Sequence, residues 1–233
     1  MDFDIFATDY DGTLAYDGVV DEPTMAAVLR ARDAGLRLLM VTGRELTDLS
    51  HTFAHLEVFD LIVLENGSVL YTPATKAVRV LGPPPPPELV ARLTERQVPL
   101  SVGHSIVATV MDYEREVVEA IRDLDIHWHV VLNKGSLMVL PPSVDKSSGL
   151  MAALETLHAS PARTVAIGDA ENDRPFLRAC GLAVAVANAL GSVKTCAHVV
   201  TAGARGAGVA ECIDRLLAGE FDGVVRPQPA CAH

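Results

Sequence analysis

The chain of 233 residues has little positive charge, since 19 lysines and arginines stand against 30 aspartates and glutamates, for a net charge of −11. An acidic surface attracts neither nucleic acid nor an anionic membrane, so we expect neither as a partner. No apolar run reaches the roughly 20 residues that a membrane-spanning helix needs. The first four residues, Met-Asp-Phe-Asp, are acidic where a signal peptide is basic, so we expect a cytoplasmic protein.

Cysteine is also scarce, with four residues and no CxxC pair. Without an export signal, such cysteines predict free thiols in a reducing compartment. Hydrophobic residues make up 49% of the chain, which excludes a disordered protein. A chain of this length buries about 70% of its extended surface, so it needs no cross-links to fold. The four cysteines are Cys180, Cys196, Cys212 and Cys231.

Short apolar runs alternate with helical patterns in the N-terminal part of the chain. Residues 3–8, 36–41 and 61–64 predict buried strands, and residues 23–34 and 45–56 predict helices between them. Strand–helix–strand repeats with short connections are typical of a parallel sheet covered on both faces. The sequence therefore predicts an α/β protein with a Rossmann-like, doubly wound parallel sheet as its core.

Five consecutive prolines at residues 83–87 interrupt this pattern, since a proline run is a stiff extended segment and neither helix nor central strand. After the prolines, a helix followed by two strands occurs twice, and the α/β pattern then resumes. We therefore predict a discontinuous core of residues 1–82 and 144–225, with an inserted α+β lobe, or cap, at residues 83–143. Residues 226–233 form a flexible tail in this interpretation.

Carboxylates, a hydroxyl and a lysine follow the predicted strands, at the edge where α/β sheets bind their ligands. Four carboxylates at one place repel each other, by about 4 kcal/mol for two charges roughly 4 Å apart at an effective dielectric of about 20. Either some of them are protonated or a divalent cation lies among them. Oxygen ligands with no nearby His or Cys select Mg²⁺ over Zn²⁺. The residues in question are Asp9, Asp11, Thr42, Lys146, Asp169 and Asp173.

A metal-bound carboxylate beside a lysine and a hydroxyl is an arrangement for phosphoryl transfer. Mg²⁺ and Lys146 neutralise the phosphoryl oxygens, and the Thr42 hydroxyl and backbone amides donate hydrogen bonds to them. A second carboxylate protonates the leaving alcohol and later deprotonates water. The net charge therefore does not exclude a small anionic substrate, because Mg²⁺ and Lys146 determine the field at the site.

These motifs resemble, in their order, the four motifs of the haloacid dehalogenase-like phosphatases. The lobe between the second and third motifs is similar to that of the Cof-like subclass IIB, and its small size is closer to the phosphoglycolate, sucrose-phosphate and mannosyl-phosphoglycerate phosphatases. The matching motifs are Asp9-x-Asp11-Gly12-Thr13, Thr42-Gly43-Arg44, Lys146 and Gly168-Asp169-x-x-Asn172-Asp173.

The resemblance implies a role for each of these residues. Asp9 attacks phosphorus to form an aspartyl-phosphate, and Asp11 is the general acid and base. Thr42, Gly43, Lys146 and Asn172 form the phosphate-binding set, in which Asn172 also orients the acidic loop. Asp9, Asp11 (through its main-chain carbonyl), Asp169 and Asp173 (directly or through water) bind Mg²⁺.

The expected function is therefore a Mg²⁺-dependent phosphatase of small phosphorylated metabolites, such as sugar phosphates or phosphoglycolate. Three alternatives stay open at this point. A phosphomutase of the same superfamily keeps every motif, a phospho-aspartate signalling receiver also uses Asp, Thr and Lys, and a metabolite sensor retains the fold without catalysis. The sequence predicts no particular oligomeric state.

Several further polar residues have both a functional and a structural interpretation. Arg44 is a substrate contact or a surface charge, and Asn66 and Asn188 are site residues or turn residues. In the lobe, Lys134 on a hairpin turn is the candidate for contacting the leaving group. The lobe histidines His104, His127 and His129 are expected to form a polar sheet face.

Overall fold

The computed structural model describes residues 2–133 and 135–223, which contain twelve β-strands and eight α-helices. The predicted tail at 226–233 and Lys134 lie outside the described residues. No helix in the described part is long and apolar enough to cross a membrane. The strands are β1 (Ile5–Thr8), β2 (Arg37–Val41), β3 (Leu61–Leu64), β4 (Val69–Thr72), β5 (Ala77–Val80), β6 (Ser101–Val102), β7 (Val107–Val110), β8 (His129–Asn133), β9 (Ser136–Leu140), β10 (Thr164–Gly168), β11 (Leu182–Ala185) and β12 (Val199–Val200). The helices are α1 (Glu22–Asp33), α2 (Leu46–Thr52), α3 (Pro87–Glu95), α4 (Glu114–Asp123), α5 (Lys146–Thr156), α6 (Arg174–Ala179), α7 (Gly191–Lys194) and α8 (Arg205–Leu217).

The larger sheet has eight strands in the order β12-β11-β10-β1-β2-β3-β4-β5. The six strands from β12 to β3 are parallel, and the apolar residues of the five strands from β11 to β3 are almost completely buried because helices cover the sheet. This confirms the α/β fold class. The last two strands are an antiparallel hairpin that was not predicted, since β5 is exposed along its whole length and shows no buried apolar run.

A second sheet lies in the segment predicted to form the lobe. Its four antiparallel strands run in the order β6-β7-β9-β8. One face packs on α3 and α4, where Leu137 and Val139 join the apolar side chains of both helices. The alternate residues Met138 and Leu140 lie on the opposite face with Ile106. The division of the chain into a core and a lobe at residues 83–143 stays a prediction.

One detail of the proline segment differs from expectation. Pro87, the last of the five prolines, is the first residue of α3 rather than part of the extended segment. A proline is tolerated there because the first N–H groups of a helix have no partner within the helix. The exclusion of helix was therefore wrong for this one residue.

The cysteines are only partly as expected. Cys180 and Cys212 are free and buried. Cys196 is disulfide-bonded, so the expectation of a free thiol was wrong there, and Cys231 lies outside the described residues. Sequence spacing does not show which side chains approach each other in space, and that approach decides whether a disulfide forms.

Candidate active site

The strand order of the large sheet brings the predicted site residues together. Strand β1 lies between β10 and β2, and all three run in the same direction. Asp9, Thr42 and Asp169 each follow directly after one of these strands, so they meet at the same edge of the sheet. All three are almost completely buried.

Lys146 is the centre of this group of side chains. Its ammonium donates one hydrogen bond to Asp9 Oδ1 and one to Asp173 Oδ1, both over 2.6 Å. The side chain is 1% exposed, although it stands at the N-terminus of α5, where a cation is unfavourable. The two carboxylates therefore stabilise the positive charge of Lys146, which is unfavourable at the N-terminus of a helix.

The carboxylates of Asp9, Asp169 and Asp173 form a cluster that has the ligand chemistry of a metal site. One oxygen of each lies within 4.8 Å of the others. Within the group made by these residues and Lys146, the carboxylates carry three negative charges against one positive charge when all of them are ionised. A divalent cation suits both this charge and a set of oxygen donors. The Asp11 carboxylate is not a member of the cluster.

The electrostatics follow from burial and from this crowding. Burial raises the pKa of Asp9 to about 8, with a further contribution from Asp173, while Lys146 opposes the rise. Burial alone lowers the pKa of Lys146, but Asp173 and Asp9 outweigh it and hold that pKa above its ordinary value. The ammonium of Lys146 is therefore a fixed positive charge at the site.

Asp173 has a structural role as well as its contact with Lys146. Its Oδ2 accepts hydrogen bonds from the backbone amides of Asp169, over 2.7 Å, and Ala170, over 2.9 Å. A side chain on Gly168 would place its Cβ 2.7 Å from the Asp173 carboxylate, so the strand ends in glycine where this carboxylate packs against it. Asp173 thus gives the acidic loop its shape.

Two side chains from distant loops hold Asp169. Thr13 Oγ1 donates to its Oδ1 over 3.1 Å, and Asn188 Nδ2 donates to its Oδ2 over 3.2 Å. Asn188 also donates to the Gly12 carbonyl, over 2.8 Å. Asn188 therefore lies at the site rather than in a remote turn. Thr13 stood in the first motif, but no role was assigned to it from the sequence.

Asp11 makes a two-pronged ion pair with Arg44. The guanidinium donates to both carboxylate oxygens, over 2.7 and 2.8 Å, and also binds Asp48. The hydrogen bonds that Arg44 donates to Asp11 raise the pKa of Arg44 above its ordinary value. Arg44 thus faces the site instead of being an isolated surface charge, and it orients Asp11, whose side chain is 40% exposed.

The remaining phosphate-binding candidates lie beside this group. Thr42 Oγ1 accepts a hydrogen bond from the Arg44 amide over 3.1 Å. Asn172 Nδ2 donates to Asn66 Oδ1 over 2.9 Å, while its own Oδ1 is buried and has no hydrogen-bond partner among the described residues. Asn66 also lies next to Gly43, because a Cβ there would be 3.0 Å from Asn66 Nδ2. The structure therefore brings Asn66 to the site.

An open cleft of about 860 Å³ lies between this group and the second sheet. Of the lobe histidines, His127 and His129 do not line it, and His104 instead contacts the buried carboxylate of Glu65 over 2.9 Å. The part of the wall from residues 9–51 is Asp9, Asp11, Gly43, Arg44, Glu45, Thr47, Asp48 and His51, and the part from the segment predicted as the lobe is Ser101, Ile106, Ala108, Thr109, Asn133, Ser136 and Met138.

Comparison with known proteins agrees with this geometry. Residues 6–95 and 114–213 match the family of haloacid dehalogenase-like hydrolases. The phosphoglycolate phosphatase of Methanothermobacter thermautotrophicus is 34% identical over 91% of this chain and 97% of its own length. That of Methanopyrus kandleri is 33% identical over 90% of this chain and 95% of its own. The chain therefore belongs to the haloacid dehalogenase-like hydrolase family, and the expectation of an enzyme of the phosphatase class is confirmed.

Solved structures show the same fold. A haloacid dehalogenase-like hydrolase from Bacteroides thetaiotaomicron superposes with a TM-score of 0.78 at 20% identity, covering 92% of this chain and 99% of that one. The subclass IIB sugar phosphatase BT4131 superposes with a TM-score of 0.72 at 19% identity, covering 93% and 98%. At these identities the likeness concerns the fold alone.

Proposed function

We propose that the protein is a Mg²⁺-dependent phosphomonoester hydrolase that acts on small phosphorylated metabolites through an aspartyl-phosphate on Asp9. The observation that carries the proposal is the buried cluster of Asp9, Asp169 and Asp173 around the Lys146 ammonium. The relatives named phosphoglycolate phosphatases support a small phosphorylated substrate, and a sugar phosphate is the other candidate.

The side chains divide the reaction between them. A carboxylate oxygen of Asp9 attacks phosphorus, and the bond from phosphorus to the leaving oxygen breaks. Asp11, once it has left its ion pair with Arg44 and taken up a proton, gives that proton to the leaving oxygen so that the product leaves as an alcohol. Asp11 then takes a proton from the water that attacks phosphorus, and phosphate departs from a regenerated Asp9. Lys146 neutralises the phosphoryl oxygens during both steps.

The metal proposal rests on the donors that are present. Asp9, Asp169 and Asp173 supply carboxylate oxygens, and the Asp11 main-chain carbonyl is the proposed fourth donor. Oxygen-only donors with excess negative charge suit a hard divalent cation such as Mg²⁺. When bound, the cation adds positive charge at the phosphoryl oxygens, which lowers the barrier to attack by an anionic nucleophile.

The decisive variant is Asp9→Asn, which keeps the shape of the side chain and removes the nucleophile. We expect hydrolysis of p-nitrophenyl phosphate to fall by about a thousandfold or more. The matched control is Asp33→Asn, the same change on the exposed end of α1, which leaves the rate unchanged. Hydrolysis by Asp9→Asn at a rate near that of the wild type contradicts the assignment of the nucleophile. Hydrolysis by the wild type that is undiminished after chelation of divalent metal contradicts the assignment of the metal.

A product assay separates hydrolysis from transfer. The phosphatase releases inorganic phosphate from a hexose phosphate, whereas the alternative phosphomutase converts it to its isomer. Isomer formation without release of phosphate would favour the mutase.

A further inference from the structure

We propose that Glu65 is a positioning residue that holds the lobe over the active-site cleft, with its buried carboxylate accepting hydrogen bonds from the lobe residues His104 and Ser105. Glu65 follows β3 directly and is 1% exposed. The proposal rests on the proposed function, because it concerns how substrate is enclosed at that site.

The contacts of the carboxylate all reach across to the lobe. Oε1 accepts from the His104 amide over 3.1 Å and lies 2.9 Å from His104 Nδ1, and Oε2 accepts from the Ser105 amide over 3.0 Å. A carboxylate withdrawn from water needs such donors, and hydrogen bonds to a charged group are the stronger ones. The favourable burial of Glu65 therefore depends on where the lobe stands.

The lobe loop is shaped to receive this carboxylate. A side chain on Gly103 would place its Cβ 2.7 Å from both Glu65 Oε2 and Ile106 Cγ2, so glycine leaves the space that the carboxylate fills. The Gly103 amide donates to the Ile106 carbonyl over 2.9 Å, which closes the loop into a tight turn. Ser105 Oγ donates to the Gly82 carbonyl over 2.9 Å, and the neighbouring Ile106 lines the cleft.

On its other side, Glu65 is fixed to the catalytic machinery. Glu65, Asn66 and Gly67 have φ values of 49°, 52° and 113°, a left-handed turn that is costly for the two residues with side chains. The Glu65 amide donates to the Arg44 carbonyl over 3.0 Å, and Arg44 holds Asp11 through its guanidinium. One residue thus connects the lobe loop with the residue that orients the proposed general acid.

This connection predicts an effect on substrate binding rather than on the chemical step. Substrate lies between the lobe and the strand ends, so molecules with a displaced lobe do not enclose it. Apparent affinity falls with the fraction of molecules that have the lobe in place. Saturating substrate draws the lobe back, and the maximal rate is then nearly restored.

The first test is Glu65→Gln, which keeps the size of the side chain and replaces one acceptor with a donor. With Mg²⁺ and p-nitrophenyl phosphate or phosphoglycolate, we expect KM to rise roughly tenfold while kcat changes less than about threefold. Hydrogen exchange at the His104 and Ser105 amides becomes faster. The matched control is Glu95→Gln on the exposed side of α3, which changes neither KM nor exchange.

A second variant, Gly103→Ala, tests the same contact from the lobe and leaves Glu65 intact. Its Cβ displaces the carboxylate, so the same rise in KM is expected. An unchanged KM in both variants overturns the proposal. A fall in kcat and in Tm with KM unchanged also overturns it, because that result marks a merely structural role for Glu65. Failure of the proposed function is distinguishable, because it shows as activity retained by Asp9→Asn.

Discussion

At the scale of the residue, burial decides what each titratable group does. Asp9, Lys146 and Asp173 are chemically useful because they are withdrawn from water together, so each one sets the charge that the others meet. The buried cysteines show the opposite outcome, because burial is the dominant influence on them and suppresses their reactivity. Burial raises the pKa of Cys180 and of Cys212 to about 12.

The cysteine result predicts selective protection from alkylation. The thiolate is the reactive form, and a pKa of about 12 in place of 9.0 lowers its population at pH 8 by about a thousandfold. We expect mass spectrometry to find Cys180 and Cys212 unmodified by iodoacetamide in the folded protein and modified after denaturation. The protonated thiols stabilise the fold below about pH 9, and this contribution is lost as the pH rises towards 12. Rapid labelling of both residues in the native protein would refute the inferred burial.

At the scale of the element, the site depends on how closely α5 approaches the turn after β3. Gly67 and Gly149 meet there, because a Cβ on Gly149 would lie 2.5 Å from the Gly67 Cα and 2.5 Å from Val63 Cγ1. The capping box of Asp145 and Ser148 begins the helix at this point, so Lys146 is delivered to the carboxylates. The contact between Lys146 and the carboxylates therefore depends on the position of α5 as well as on the lysine side chain.

Gly149→Ala tests this packing. Alanine favours a helix by about 1 kcal/mol over glycine, but overpacking against the turn costs about 1–3 kcal/mol. We expect a net loss of stability in urea denaturation, together with lower phosphatase activity because Lys146 is displaced. Gly191→Ala at the start of α7 is the control, since its Cβ meets nothing within 4 Å and stability is expected to hold. A Gly149→Ala protein as stable and active as the wild type would contradict the tight contact.

At the scale of the whole molecule, the proposed metal site joins two distant parts of the chain. Asp9 follows the first strand, whereas Asp169 and Asp173 belong to a loop about 160 residues later in the chain. Unfolding separates them, so a cation bound at the cluster stabilises the complete fold. The chain is acidic overall, and this arrangement gathers three of its carboxyl groups around one lysine, a balance that a divalent cation would offset.

Mg²⁺ is therefore expected to raise Tm in a way that depends on the cluster. At a concentration about a hundredfold above Kd the gain is about 2.7 kcal/mol. For a chain of this size we expect a rise of roughly 5–10 °C in a thermal scan. Asp169→Asn removes one ligand and is expected to lose most of the shift. An equal rise in the variant, or none in the wild type, would mean that the cation binds elsewhere or not at all.

Sequence patterns predicted most of the large sheet, because the parallel strands are short continuous apolar runs with polar residues directly after them. They did not predict β4 and β5, whose pairing at an open edge leaves β5 exposed and weakly patterned. The same patterns predicted that Asp9, Thr42 and Asp169 lie at one edge of the sheet, since neighbouring parallel strands end at the same edge. The hydrogen bonds of Glu65 and Thr13 reach partners 39 and 156 residues away, which no local pattern indicates.

The sequence by itself determined the class of fold, the order of the motifs and the chemical types at the strand ends, since these depend on local periodicity and chain order. Only the tertiary structure decided that Lys146 lies between Asp9 and Asp173, that Arg44 pairs with Asp11, and that the Glu65 carboxylate accepts hydrogen bonds from the amides of His104 and Ser105. The reason is physical: pairing between buried charges depends on distances of a few ångströms between residues far apart in the chain. Those distances are set by packing of the whole molecule rather than by any one segment.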